Sequence, residues 1–193
     1  MAVTETNILI GVSGVSGTGR HGAAMYLARH LELRPHAIAL PILRCCAATI
    51  NMDFEIFKNL EKDQTIGMLG NRTKRQFLRD VGKFYREQVD VFFLLRQLEH
   101  RIQCEEASNN LFNGNLVTDV KLDTEAEWVR FNGGQVIHIK QDKAPADFDV
   151  IDLGVEVDRA DIVIQNNGTV EQLHKKLDSV IQLIRTNSGL PVT

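Results

Sequence analysis

The chain is poor in the features that would mark it as disulfide-stapled, metal-bound or membrane-spanning. Cysteine occurs only three times in 193 residues, at Cys45, Cys46 and Cys104. An odd number without metal-ligand spacing gives neither a disulfide framework nor a zinc site, and reads as reduced, mostly buried thiols of a cytosolic protein. No apolar run approaches the roughly 18 residues of a spanning helix. The N-terminus, Met1 to Thr6, lacks the basic region of a signal peptide. Charge of either sign is not in excess: the formal net charge is −3, so no global field favours nucleic acid or an anionic membrane surface. Repeats and low-complexity segments are absent too. With 44% hydrophobic residues, what remains is one domain with a full core, expected to be soluble.

The most informative segment lies near the start. Asn7 to Ser13 reads as a buried strand and Ala23 to Leu31 as a helix, with Gly14-Val15-Ser16-Gly17-Thr18-Gly19-Arg20-His21 between them. A phosphate-cradling loop has the spacing G-x-x-x-x-G-K-[ST] between a strand and a helix. Gly14 and Gly19 fit it, but Arg20 stands where Lys belongs and His21 where Ser or Thr belongs. The glycines let backbone N–H groups turn inward as an anion nest, at a helix end that already favours negative charge.

Helical and strand patterns alternate along the rest. Expected strands are Ala37–Leu40, Leu116–Val120, Gln135–Lys140 and Asp161–Gln165. Residues 58–64 suggest an exposed helical insertion. Residues 73–106 read as a long helical region broken near 88–90, Thr124–Asn132 as a helix capped by Thr124, and Thr169–Arg185 as a closing amphipathic helix. Residues 141–158 are polar and weakly patterned, a candidate lid. Short apolar strands separated by helices imply an α/β fold, a parallel sheet covered on both faces.

In such sheets ligands sit beyond the carboxyl ends of the strands. That rule selects the loop Gly14–His21 and also Asp119, whose carboxylate could hold Mg²⁺ through water, accept from a substrate hydroxyl or amino group, or simply cap a helix. On a helical wheel Arg75, Arg79, Gly82 and Arg86 share a narrow stripe opposite Phe77, Val81 and Phe84. Guanidinium forks suit a dianionic phosphate, with Gly82 giving a ligand access to the backbone; an ordinary solvated face fits the pattern equally.

Four blocks in order carry a resemblance. They are Val12-Ser13-Gly14 through Gly19; Arg75-x-x-Leu78-x-x-x-Gly82-x-x-x-Arg86; Thr118-Asp119-Val120-Lys121 with Glu125-Ala126-Glu127-Trp128 and Gly133-Gly134-x-Val136-Ile137; and Ala160-Asp161-Ile162-Val163-Ile164-Gln165-Asn166-Asn167-Gly168-Thr169. Over roughly Ile8 to Ile184 the chain resembles the bacteriophage-type deoxynucleoside monophosphate kinases. The resemblance implies a three-layer fold with a parallel five-stranded sheet, the P-loop nucleoside triphosphate hydrolase fold of the nucleoside monophosphate kinase type. It implies a single kinase domain over 1–193, with an acceptor-binding helical region at about 45–112 and the lid at about 141–158. ATP would lie on Gly14, Val15, Ser16, Gly17, Thr18, Gly19, Arg20 and His21, with Asn166, Asn167, Gly168 and Thr169 beside the adenine. The acceptor monophosphate would meet Arg44, Arg75, Arg79, Arg86, Asp119 and Lys121. Arg20, Arg75, Arg86 and Asp119 would carry catalysis, with Mg²⁺ arriving on ATP and no metal site of the protein's own.

The implied activity is transfer of the γ-phosphoryl of ATP to a deoxynucleoside monophosphate in the cytoplasm, the host's if the chain is phage-encoded. Nucleic acid and membrane are not expected partners, and the apolar stretch Val89–Leu98 suits a homodimer as readily as a core. Departures from the pattern keep other readings open. Arg20 and His21 replace Lys and a hydroxyl or carboxylate, Lys121 replaces the family's usual Arg, and Lys143 is the one basic residue of the lid. Arg159 is a further candidate for the missing lid charge. The second reading is a catalytically weak relative that binds a nucleotide or a protein partner as a sensor or regulator. A third, ranked lower, is an animal-type phosphomevalonate kinase.

Overall fold

A computed structural model describes residues 7–108, 111–142 and 155–191. The chain packs as two compact units, one made of residues 1–37 and 102–193 and the other of residues 38–101.

The first unit is built on a parallel sheet. Its strands are β1 (Ile8–Ser13), β2 (Arg34–His36), β5 (Gly114–Val120), β6 (Gln135–Lys140) and β7 (Ile162–Gln165). They lie in the order β2-β5-β1-β6-β7, and every pair is parallel. The first strand is therefore central, which is why its burial is nearly continuous rather than alternating. On one face, Ile10, Val12, Leu116, Ile137 and Ile139 pack against Ala24 and Leu27 of α1 (Arg20–His30) and Leu177 and Ile181 of α7 (Val170–Ser188). On the other face lies α6 (Asp123–Phe131): a Cβ at Gly11 would come within 3.0 Å of Val129. The five-stranded parallel sheet expected from the sequence is thus the sheet observed.

The second strand is a correction. Ala37–Leu40 is not a strand; the sheet takes Arg34–His36, and α2 (Leu40–Thr49) begins where the strand was expected. Pro41 misled the reading, because it sits in the first turn of the helix, where its missing N–H costs nothing. Pro35 is tolerated within β2 because that strand is an edge. Thr124 is likewise not the cap of α6. Instead Glu125 turns back, and its Oε2 accepts from the backbone N–H of Lys121 at 2.7 Å and of Leu122 at 3.1 Å. The closing helix begins as expected, with Thr169 as its cap: Thr169 Oγ1 accepts from Gln172 N–H, and Gln172 Oε1 accepts from Thr169 N–H.

The second unit holds α2, α3 (Phe54–Asn59), the two-residue hairpin of β3 (Thr65–Ile66) and β4 (Arg72–Thr73), α4 (Lys74–Phe84) and the start of α5 (Phe93–Ser108). The expected break in the long helical region is real: a π-turn over Tyr85–Val89 follows α4 and ends at Asp90, which is fully extended. The expected helical insertion at 58–64 is not; α3 stops at Asn59 and Leu60 is extended. The reason is Lys74. Its ammonium is buried, donates to the carbonyls of Lys58 and Leu60 at 2.8 Å each, and so satisfies the end of α3 from another element. Burial pushes the Lys74 pKa down.

Of the thiols, Cys46 is buried and Cys45 half-buried, but Cys104 is exposed, against expectation. Burial pushes the Cys46 thiol up to about 12, so it stays protonated and serves packing. Among the described residues no helix is long and apolar enough to cross a membrane.

Candidate active site

The loop between β1 and α1 has the geometry its glycines require. Gly14, Gly17 and Gly19 all adopt positive φ, at 152°, 90° and 84°. Gly14 has no room for a side chain, since a Cβ there would lie 2.5 Å from the carbonyl oxygen of Ile139. The hydroxyl of Thr18 is buried and donates to the carbonyl of Val15 at 2.8 Å, closing the turn from inside. Gly19 precedes α1 without a side-chain cap, and the first turn of α1 carries no acidic residue. Backbone amides at the open end of a helix, reached by a glycine-rich turn, make a site for an anion.

Arg20 reaches back over this loop, and its Nη1 donates to the carbonyl of Gly14 at 2.9 Å. The guanidinium therefore spans the turn it belongs to, next to where the amides converge. His21 is exposed on the first turn of α1. Asp119 is half-buried at the penultimate position of β5, and the pairing of Ser13 with Val120 sets that strand end beside the root of the loop. Lys121 follows directly, its backbone fixed by Glu125.

The turn after β7 braces the same loop. Asn166 accepts no subsidiary role: its backbone N–H donates to Lys140 O at 2.7 Å and its Nδ2 to Thr18 O at 2.8 Å. Asn167 pairs with Asp142 at the end of β6, accepting from its N–H at 2.9 Å and donating to its carboxylate at 2.5 Å. Gly168 lies against Gln172, and Thr169 caps α7. One unit thus brings together the loop, Asp119, Lys121 and the Asn166–Thr169 turn. The lid expected at 141–158 lies mostly outside the described residues.

The four candidate arginines belong to the second unit. Arg75 makes a two-pronged bond to Asp63, Nε to Oδ1 at 2.8 Å and Nη2 to Oδ2 at 2.9 Å. That bond holds the Asp63 carboxyl below the usual carboxylate range. Arg44 lies exposed on α2, its guanidinium 5.9 Å from the Phe54 ring. Arg79 and Arg86 are half-buried. The stripe they form is not a simple solvated face, one of the two readings its pattern allowed. Gly82 is buried, and a Cβ there would meet Ile42 of α2 at 3.1 Å and the Arg86 guanidinium at 3.4 Å. Gly82 thus admits a neighbouring helix and the Arg86 head. Phe84, across the wheel, is 55% exposed.

Two further features escaped the sequence reading. Asp161, its side chain only 1% exposed, accepts from Arg130 Nε at 3.1 Å and Nη2 at 2.5 Å and bonds His138 Nε2 at 2.8 Å. Burial alone would raise the Asp161 carboxyl, but these bonds and the Asp158 N–H hold it below its ordinary value. The hydroxyl of Ser13 is buried without a partner at the end of β1. Both positions fall within the motif blocks of the sequence, but nothing in the blocks shows the Arg130 and His138 bonds of Asp161 or the unpartnered hydroxyl of Ser13.

For Mg²⁺ the donor set is thin on the protein side. The described residues contain no cluster of three or more His, Cys, Asp or Glu side chains able to hold a metal, Thr18 Oγ1 is committed to Val15, and His21 has no oxygen. Mg²⁺ keeps several waters and uses one or two carboxylates plus substrate phosphates. Asp119 suits that sparse arrangement, so the residues fit an ion carried by a triphosphate rather than a resident one.

A parallel five-stranded sheet with a glycine loop after its central strand is the fold of the P-loop kinases. The same fold occurs in the dephospho-CoA kinase from Campylobacter jejuni, with a TM-score of 0.50 at 18% identity over 93% of this chain and 98% of that one. Residues 84–177 match the model of the deoxynucleotide monophosphate kinase family. A protein of Acanthamoeba polyphaga mimivirus, provisionally named a deoxynucleotide monophosphate kinase, is 25% identical over 186 residues, 90% of this chain and 96% of that protein. The deoxynucleotide monophosphate kinase of Escherichia phage RB69 is 29% identical over 72 residues, 37% of this chain and 30% of that protein. Over residues 84–177 the chain is thus similar to the deoxynucleotide monophosphate kinase family that its motifs resemble. The matched residues include Arg86, Asp119, Lys121 and the Asn166–Thr169 turn, but not the glycine loop.

Proposed function

We propose that this kinase transfers the γ-phosphoryl of ATP to the phosphate of a deoxynucleoside monophosphate. The bond from Pγ to the β-bridging oxygen breaks, a bond forms from Pγ to an acceptor phosphate oxygen, and ADP leaves with the deoxynucleoside diphosphate as co-product. The observation that carries the reading is the phosphate cradle, three positive-φ glycines turning the backbone onto an uncapped helix end with Arg20 laid across it. Phosphoryl transfer asks little covalent chemistry of a protein and depends on position and positive charge.

In this reading the amides of residues 14–21 and Arg20 hold the ATP phosphates. Asp119 would hold, through water, the Mg²⁺ that accompanies ATP, and the bound ion would supply positive charge beside the phosphates. Asn166 keeps the cradle in shape by pinning Thr18, while the 167–169 turn lies beside the adenine. Arg44, Arg75, Arg79, Arg86 and Lys121 receive the acceptor.

Arg20 also favours a second reading. A guanidinium tied to Gly14 is bulkier and less mobile than a lysine ammonium, which suits a weakly catalytic nucleotide-binding relative. ADP formation from ATP and Mg²⁺, measured with each deoxynucleoside monophosphate and with phosphomevalonate, separates the readings. Turnover dependent on one of the nucleotides supports the kinase. Nucleotide binding without turnover supports the binding protein, and turnover with phosphomevalonate alone defeats the choice of substrate class.

A further inference from the structure

We propose that Asp63 is an internal competitor for the acceptor phosphate, a carboxylate that occupies the Arg75 fork and sets how tightly the acceptor binds. The inference rests on the reading of Arg75 as an acceptor-phosphate residue and adds the residue that tunes it.

The geometry is that of phosphate recognition with a carboxylate in place of the ligand. Both oxygens of Asp63 are engaged, on Nε at 2.8 Å and on Nη2 at 2.9 Å, in the planar two-bond fork that arginine offers to carboxylates and phosphates alike. The contact is built into the unit. The backbone N–H of Arg75 donates to Lys62 O at 2.8 Å, and that of Lys74 to Gln64 O at 3.0 Å, so the residues on both sides of Asp63 are strapped to the start of α4. The Lys74 ammonium fastens the preceding carbonyls of Lys58 and Leu60. A carboxylate presented this way meets Arg75 without a large loss of chain entropy.

The pair is nonetheless easy to exchange. The Asp63 side chain is 71% exposed, and ion pairs in water-exposed settings contribute little. A dianionic phosphate brings twice the charge of the carboxylate to the same fork and can displace it. Each acceptor that uses Arg75 must therefore first part it from Asp63, which weakens binding by the strength of the pair. The same carboxylate can retake the fork when product leaves. Lys62, the neighbouring cation, also faces Asp63, and it receives the carboxylate when Arg75 turns to phosphate.

The test is calorimetric titration of the full chain with dAMP, dCMP, dGMP and dTMP. The nucleotide bound most tightly is then carried through the variants. Asp63→Asn is expected to tighten its Kd about two- to fivefold, the range set by the small worth of exposed pairs. Asp63→Glu, which keeps the charge, should stay close to the original protein. In an Arg75→Gln background, which itself weakens binding, Asp63→Asn should change nothing. If Asp63→Asn weakens binding or leaves it unaltered while Arg75→Gln weakens it, Asp63 is a support for Arg75 and the inference falls alone. If Arg75→Gln has no effect, or none of the four nucleotides binds, the reading of the acceptor site falls and takes the inference with it.

Discussion

Single residues in this protein carry more than one duty, and their removal should separate them. Arg20 both spans the loop and supplies its charge. Arg20→Ala is expected to weaken ATP binding about ten- to a hundredfold, the worth of one or two charge-assisted bonds, while the thermal midpoint barely moves. Nucleotide titration alongside a melting curve checks both. Gly14→Ala should be harsher, because a methyl group would sit 2.5 Å from the Ile139 carbonyl at a φ of 152°. Loss of ATP binding together with a lower melting temperature is the expected result. Asp161 gives a pH dependence with a definite sign. Its carboxyl titrates lower in the folded chain than in the unfolded one, so its stabilisation is complete above the unfolded value, about 4, and is lost as pH falls through the folded value. Melting curves below about pH 4 should therefore drop more steeply for the original chain than for Asp161→Asn, which is less stable near neutrality.

At the scale of elements, the helix α4 is instructive because its polar stripe is its packed side. Gly82 is the point of closest approach to Ile42, and a Cβ there has only 3.1 Å. Gly82→Val should cost about 1–3 kcal/mol, because overpacking against Ile42 outweighs the small gain in helix propensity of Val over Gly, measured by denaturant unfolding. Gly82→Ala gains helix propensity of about 1 kcal/mol, which offsets much of its crowding. The wheel of arginines was visible in the sequence, since helical spacing is a local property. That α2 lies along the same stripe was not, because nothing in residues 75–86 encodes which helix folds onto them. The capping of α6 shows the same limit. Thr124 has the residue type of a cap, yet the carboxylate of Glu125 reaches the Lys121 and Leu122 amides and shifts the helix start. Local propensity named a reasonable candidate, and side-chain reach chose another.

For the whole molecule, stability should depend on the sheet unit's core more than on any polar contact. Ile137 is fully buried at the centre of the β1–β6 pair, and Ile137→Ala should cost about 2–5 kcal/mol. At this chain length that lowers the melting temperature by roughly 2–4 °C for each kcal/mol, which calorimetry can follow.

The sequence by itself determined the parallel sheet, through short apolar runs spaced by helices, and the glycine turn of residues 14–19, through glycines at fixed spacing after a strand. Both are legible because period and turn chemistry act over a few residues. The resemblance to the deoxynucleotide monophosphate kinases was carried by the Asp119–Lys121 and Asn166–Thr169 blocks for the same reason. Only the tertiary structure decided that Pro41 starts a helix rather than ends a strand, that Lys74 satisfies the end of α3, and that Asp63 takes the Arg75 fork. The last two join groups from separate elements, and the free energy that fixes them comes from burial, hydrogen bonds and charge pairing across space, which no local pattern records.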